Sequence, residues 1–446
     1  MHKRDTMLHF KTVRNWERMN ESKESSQVVS ARMELRKDAA VGREIVTIYI
    51  ACGLAVIAAW VLSFWELTPP LVETWTAIVL GEGNFFWVCG LVATNVVAYI
   101  LARSSKEAWL TMLLGLSIFA LSFVVHPSQG ALYERLLQPA KWFGIFGLCA
   151  LAYQARRPGG VEIFLTALCF SLFVPISVAY LAMTSSLRPD TMDLHAYAFD
   201  RSLGIGVAPY VFTLFRRSGL VSTIAIAAYV SLLGAYVVLS GLQARFADRS
   251  VVPALRIFLL AAGIGFACYF IFPVVGPRNF FGDNYPFHLP DFSQFTVGWS
   301  PAIPTARNGM PSLHFAWALL LVLNVPRSLP YAKAAFALFC FLTALATLGT
   351  GEHYFVDLVA ALPFAAMVQA IGLWVSHEGS RRGLMSSALR SGTIFVLSLI
   401  LIAISPQWLH TPLCSWFAVA FLCLHVLGEI ASQKGALETA TNNVRA

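Results

Sequence analysis

Gly351-Glu-His-Tyr-Phe-Val-Asp-Leu-Val-Ala-Ala-Leu-Pro-Phe-Ala-Ala-Met-Val-Gln-Ala-Ile-Gly-Leu-Trp-Val375 is the stretch from which the fold can be read. After His353 its only ionisable side chains are Tyr354 and Asp357, and its only amide is Gln369. About 20 such residues cross the hydrocarbon of a bilayer as an α-helix, which satisfies its own backbone where water is absent. The stretch predicts a transmembrane helix over 353–375 with a polar first turn at one membrane face.

The pattern recurs outward from there. The chain has 446 residues, 57% hydrophobic and 13% charged, where an ordinary soluble domain has roughly 25% charged. Mean hydropathy is +0.66. At about 150 residues per domain the length alone suggests three soluble domains. Polar residues are too scarce to cover three such cores. A soluble enzyme, a disordered chain, a collagen and a disulfide mini-protein are excluded, and an all-α polytopic membrane protein remains. The net charge of +8 then reads as basic residues facing anionic lipid heads, not as a nucleic-acid surface.

Twelve spans are read: 43–64, 84–102, 107–126, 141–155, 161–183, 221–242, 254–273, 312–328, 332–349, 353–375, 391–405 and 412–430, the fourth and eleventh short. The stretch 71–80 reads as a re-entrant or surface piece. Residues 1–42 lack the apolar core of a signal peptide and read as a cytoplasmic polar tail. Within it, Phe10, Val13 and Trp16 alternate with Lys11, Arg14 and Arg18, as in a surface-lying amphipathic helix or a plain disordered tail.

With that tail inside, the inner loops contain Arg103 and Lys106; Arg156 and Arg157; Arg245, Arg249 and Arg256; Arg327 and Lys333; and Arg381, Arg382 and Arg390. Outer segments 65–83, 350–352 and 406–411 have no Lys or Arg, which orients both termini to the cytoplasm. The outer segment 184–220 breaks the pattern with four arginines; it contains Asp193, His195 and Asp200 and reads as an interfacial amphipathic helix. The outer segment 274–311 is rich in aromatics, from Phe280, Phe281, Tyr285 and Phe287 to Phe292 and Phe295, and reads as an ordered cap. The eight cysteines all lie in or beside apolar runs without a C-x-x-C pair and read as small buried hydrophobes. No internal repeat supports a transporter built from inverted halves.

Three polar groups gather at the outer ends of spans, where ionisable residues are costly and usually functional. His353 and Asp357 are four apart and share a helix face, so the carboxylate can hold the Nδ1 proton and leave Nε2 as nucleophile or base. Asn308-Gly-Met-Pro-Ser312-Leu-His314 opens the eighth span, with Pro311 suited to its first turn and the helix start suited to an anion. Phe272-Pro-Val-Val-Gly-Pro-Arg278 ends the seventh span with a guanidinium; Arg307 is a competing cation. Taken singly, each has a plainer reading: a polar pair for helix packing, a capped helix with an interfacial histidine, a headgroup anchor. Together they supply two imidazoles, a cation and oriented amides. That set suits phosphoryl transfer without a metal. Two histidines with scattered carboxylates suit zinc less well, and no cofactor is called for.

Pro311-Ser312-Leu313-His314, followed 39 residues later by His353-x3-Asp357, resembles the type 2 phosphatidic acid phosphatase superfamily. Met310-Pro-Ser-Leu-His314 and Glu352-His-Tyr-Phe-Val-Asp357 are most similar to the branch containing inositol phosphorylceramide synthase and its bacterial, inositolphosphotransferase-like relatives. Tyr197-Ala-Phe-Asp-Arg-Ser-Leu-Gly204 is weakly similar to an interfacial helix of that branch. The resemblance covers about 185–375 and implies a six-helix catalytic core with its site at the outer or lumenal face, the fifth span supplying the sixth core helix. It implies a bacterial inner-membrane enzyme in which His353 forms a phospho-histidine, Asp357 orients it and His314 is the general acid. Ser312 would contact phosphate, with Arg278, Arg307 and Gly351 as further phosphate-binding candidates. Two departures stand out: the K-x6-R-P motif is absent, with Gly276-Pro277-Arg278 in its place, and Thr347 stands where an arginine often precedes the nucleophile by six residues. Both departures are shared by the synthase-like branch.

The chain divides accordingly into the tail 1–42, a four-helix membrane region 43–155, a catalytic core 156–378 and a two-helix C-terminal region 379–446. The expected activity is a lipid phosphotransferase moving a phospho-headgroup from a lipid-phosphate donor to an alcohol acceptor. Its partners are membrane lipids, not nucleic acid. A phosphatase acting on phosphatidate or a polyprenyl diphosphate is the alternative. A lipid transporter or scramblase, and a pseudo-enzyme that only binds phospholipid, are further classes.

Overall fold

The structure is a computed structural model that describes residues 61, 65–66, 85–102, 104–125, 132–154, 160–246, 248, 250–291, 297–301, 304–377, 381–405 and 411–445. The tail 1–42, the first span at 43–64 apart from Val61, the stretch 71–80, Phe292 and Phe295 lie outside the described residues. Four helices come first: α1 (Phe85–Ile100), α2 (Ser105–Val125), α3 (Leu132–Gln154) and α4 (Gly160–Leu187). Short pieces follow: strand β1 (Asp190–Thr191), then helices α5 (Asp193–Ser202), α6 (Val207–Arg217), α7 (Gly219–Val230) and α8 (Leu232–Phe246). The remainder is α9 (Ala254–Ile271), the one-turn α10 (Pro277–Phe281), strand β2 (Ser300–Pro301), α11 (Leu313–Leu323), α12 (Pro330–Gly349), α13 (Phe355–Ser376), α14 (Arg381–Ile404) and α15 (Pro412–Arg445). The two strands pair antiparallel, Asp190 with Pro301 and Thr191 with Ser300.

Among the described residues six helices are long and apolar enough to cross a membrane: α2, α9, α12, α13, α14 and α15. A seventh is added if α6 and α7, bent by 113° at their junction, count together. The expected twelve is therefore not confirmed among the described residues. The apolar run 221–242 is two helices, because α7 ends at Ser231, whose hydroxyl bonds back to the Ala227 carbonyl at 2.6 Å. The run 312–328 has only the 11-residue α11, about 16 Å long, which ends before Pro326. The fourth and eleventh runs are longer than expected, at 23 residues in α3 and 24 in α14. That extension moves Arg390 out of the inner loop and into α14, where its guanidinium grips both oxygens of Glu429 on α15 at 2.6 and 2.9 Å.

α13 is the central column, with 72% of its apolar window buried, whereas only 17% of the α2 window is. It packs against α9, α11, α14 and α15. Aromatic rings fill the space among α4, α8, α9 and α11: Trp317 stacks on Phe258 at 4.6 Å, and Phe170 meets Tyr236 at 5.7 Å. Lipid offers little hydrophobic drive between helices, so close packing and buried hydrogen bonds hold them. Gly147 of α3 lies so near α1 that a Cβ there would stand 2.1 Å from Thr94 Oγ1. Towards the end of α13 remote from His353, Asn324 and Gln369 exchange amide bonds at 2.7 and 3.2 Å, and Gln243 donates to the Asn324 carbonyl at 2.9 Å. Of the cysteines, Cys268 and Cys340 are buried as expected, but Cys149 and Cys423 are on the apolar exterior.

The segment 184–220 is not one interfacial helix but two. α6 is amphipathic, burying Ala208, Val211, Phe212 and Phe215 and leaving Tyr210, Arg216 and Arg217 exposed. α5 is buried along most of its length, Asp193, His195 and Asp200 included.

Candidate active site

Three loops meet over the start of α13. The turn 350–354 joins α12 to α13, the turn 273–277 joins α9 to α10, and 308–312 leads into α11. Backbone bonds knit them: Arg278 N–H donates to the Gly351 carbonyl at 3.0 Å, Gly309 N–H to Val274 at 2.8 Å, and Ser312 N–H to Asp357 at 3.1 Å. The close approach requires glycine at two places. Gly276 has φ +89, and a Cβ there would stand 2.1 Å from the Glu352 carbonyl oxygen; Gly351 has φ +77, and its Cβ would stand 2.7 Å from Arg278 Cβ.

His353 is 2% exposed and Asp357 fully buried. Their i,i+4 spacing brings His353 Nδ1 to 3.2 Å from Asp357 Oδ2. The same Oδ2 accepts the Tyr354 N–H at 2.9 Å, which fixes the carboxylate. On the other ring edge, His353 Nε2 lies 3.4 Å from Ser312 Oγ. Ser312 is the N-cap residue of α11, but its hydroxyl makes no cap bond and is turned to His353 instead. Pro311 therefore precedes the N-cap and lies outside the first turn where it was expected. His314, in the first turn of α11, is close enough to His353 for a charge on one to act on the other. Its ring stacks on Tyr229 of α7 at 4.1 Å, with the Tyr229 hydroxyl 3.3 Å from Nδ1. That contact gives Nδ1 a partner.

Arg278 is exposed at the start of α10, and its backbone bond to Gly351 seats it beside the His353 turn. Gly351 takes part through its backbone. Arg307 is placed differently. It is 1% exposed, with Nε bonded to the Arg188 carbonyl at 2.9 Å, Nη2 to Pro189 at 3.0 Å and Nη1 to the Thr305 carbonyl. Its guanidinium thus ties the 304–307 segment to the chain just after α4. Substituting Arg307 with Ala removes three hydrogen bonds to part-buried carbonyls and empties a buried side-chain site, and is expected to cost about 2–3 kcal/mol of stability. A thermal melt in detergent checks this. A melt unchanged from wild type would contradict the tie.

Two residues outside the expected site complete it. Asp200 of α5 accepts the N–H of Phe355 at 2.7 Å and of Val356 at 2.9 Å, the first two amides of α13. Asp193 accepts the N–H of Val275 and of Gly276, both at 3.0 Å. Their signal was present as two acids seven apart, on one face of a short helix. Burial pushes the Asp193 carboxyl up to about 7 and that of Asp200 up to about 8, against the pull of the amide donors and with help from the Asp357 charge. Both groups therefore hold protons more tightly folded than unfolded, where a carboxyl titrates near 3.9. Their stabilisation is complete below about pH 4 and is lost as pH rises through 7 to 8. The melting temperature is expected to fall over that window, and the fall should flatten in the Asp193→Asn, Asp200→Asn double variant. An equal slope in both proteins would contradict it.

Among the described residues the site thus joins a membrane-embedded helical core to a buried imidazole–carboxylate pair, a serine hydroxyl and a second histidine at one end of the helices. Residues 194–371, from α5 to α13, match the family described as the PAP2 superfamily, and the match includes His314, His353 and Asp357. It supports the superfamily that the motifs resemble, whose members are typically phosphatases or phosphotransferases. Neither the curated proteins nor the solved structures compared with the chain give a match.

Proposed function

We propose that this protein is a membrane-embedded lipid phosphotransferase working through a phospho-histidine at the extracytoplasmic face, in a bacterial inner membrane with both termini cytoplasmic. The observation that carries the reading is His353, held by Asp357 at 3.2 Å on Nδ1 and facing Ser312 Oγ at 3.4 Å on Nε2.

In the first half-reaction the His353 Nε2 lone pair attacks phosphorus. The bond from phosphorus to the leaving oxygen breaks, and that oxygen takes a proton from His314. Asp357 accepts the Nδ1–H bond throughout and stabilises the positive charge on the ring. Ser312 Oγ and Arg278 hold the non-reacting phosphate oxygens. In the second half-reaction an acceptor O–H attacks phosphorus, its proton passes to His314, and the N–P bond breaks. The acceptor is a lipid alcohol in the transferase reading, which the Met310–His314 and Glu352–Asp357 motifs favour. Water in the same place makes the enzyme a phosphatase for phosphatidate or a polyprenyl diphosphate.

The test is purified protein in lipid nanodiscs with a panel of labelled lipid phosphates, including inositol-phosphate lipids, with and without lipid alcohols and with EDTA present. Label moving to the alcohol supports transfer, and free phosphate supports hydrolysis. Lipid movement without phosphate chemistry, or activity abolished by EDTA, would overturn the proposal.

A further inference from the structure

α5 is too short and polar to cross a membrane and is not one of the spans, yet two of its carboxylates are 0% and 6% exposed. Asp193 and Asp200 are seven residues apart, two helical turns or about 10 Å along one face. Each binds two backbone amides of a different loop, at 2.7 to 3.0 Å. Together with Asp357, which takes the Tyr354 amide, Asp200 occupies the amides that would otherwise be unpaired at the start of α13. That helix end consequently offers no anion-binding amides at Tyr354, Phe355 and Val356.

We propose that Asp193 and Asp200 are positioning residues that set the two halves of the site separately from one rigid helix. Asp200 fixes the first turn of α13, and with it the register of His353 on Asp357. Asp193 fixes the Val275–Gly276 turn from which Arg278 is launched. α5 is itself anchored from the C-terminal region: Ser202 Oγ lies 2.6 Å from Ser415 Oγ, and Trp416 Nε1 donates to the Leu203 carbonyl at 3.0 Å. The last helix is thus part of the scaffold that holds the site. The burial that raises both carboxyls toward neutrality is consistent with groups enclosed on all sides.

The kinetic half of this inference rests on the proposed phosphoryl transfer. A displacement of the nucleophile acts on the chemical step, whereas a displacement of Arg278 acts first on substrate grip. The test therefore compares Asp200→Asn and Asp193→Asn in the full chain, with steady-state kinetics on a labelled lipid phosphate and hydrogen exchange of the backbone amides. Asp200→Asn is expected to lower kcat by about 10- to 100-fold with KM little changed, and Asp193→Asn to raise KM by about tenfold with a smaller loss of kcat. Exchange should accelerate at 355–356 in the first variant and at 275–276 in the second. Asp→Glu, which keeps both acceptor oxygens, should recover part of each loss and serves where Asn fails to fold. Equal losses in kcat and KM in both variants with uniformly faster exchange would reduce the pair to general packing and overturn the inference. So would unchanged kinetics with unchanged exchange. If wild-type protein shows no phosphate chemistry, the functional reading fails by itself. The exchange data then still decide the clamp: selective acceleration upholds it, and none overturns it.

Discussion

Replacing His353 by alanine is expected to reduce phosphate turnover by about 10⁴-fold or more, to the level of the uncatalysed background, because the covalent route is lost with its nucleophile. The protein should remain folded. The ring is nearly fully buried and alanine leaves a cavity, but the amides of the turn are held by Asp200 and Asp357 rather than by the imidazole. Asp357 would lose its Nδ1 partner and keep the Tyr354 amide. Turnover in labelled-lipid assays, read beside the melting temperature, separates lost chemistry from lost fold. Retention of even a tenth of wild-type activity in a folded His353→Ala protein would exclude this residue as nucleophile.

The second large effect belongs to His314 and depends on the leaving group. A lipid alkoxide is a poor leaving group and needs a proton as the P–O bond breaks, so His314→Ala should lower kcat/KM by about 10²- to 10⁴-fold on such a substrate. An aryl phosphate whose phenolate leaves without help should lose far less, about tenfold or under. Tyr229, stacked on the ring and 3.3 Å from Nδ1, would remain to pack the site. Kinetics on a pair of substrates matched in size but different in leaving-group acidity checks this. The same loss on both would show that His314 grips substrate rather than donating a proton.

Much of this site was legible in the sequence because its parts are local. The i,i+4 spacing of His353 and Asp357 sets their contact once a helix begins between them, and the apolar run to Val375 guarantees that helix. The meeting of Ser312 with His353 spans 41 residues and was legible only through the resemblance of the motifs. Arg307 shows the limit in the other direction. A guanidinium looks the same in sequence whether it faces phosphate or three backbone carbonyls, and only the position of the α4 end decides. Asp193 and Asp200 were visible as acids on an outer segment, but nothing local says that their partners are amides 82 and 155 residues away.

The membrane architecture divides along the same line. Long apolar helices such as α2, α9 and α13 follow from composition. Hydropathy is blind to a break inside an unbroken apolar run, so the interruption at Ser231 and the shortness of α11 were not. Those irregular pieces lie around the site, where α7 brings Tyr229 to His314 and α11 brings Ser312 to His353. The turns at 275–276 and 355–356 are held by the carboxylates of α5.

The central claim is that phosphorus bonds transiently to His353 Nε2. The direct measurement is to mix the protein with a lipid phosphate labelled in its transferable phosphoryl group, quench rapidly in base, and map the labelled peptide. The account predicts label that is stable to base, lost in acid and confined to the peptide containing His353, and absent from His353→Ala protein. Product forming at the wild-type rate with no label on that peptide at any quench time, or label of the same kind in the alanine variant, would contradict it.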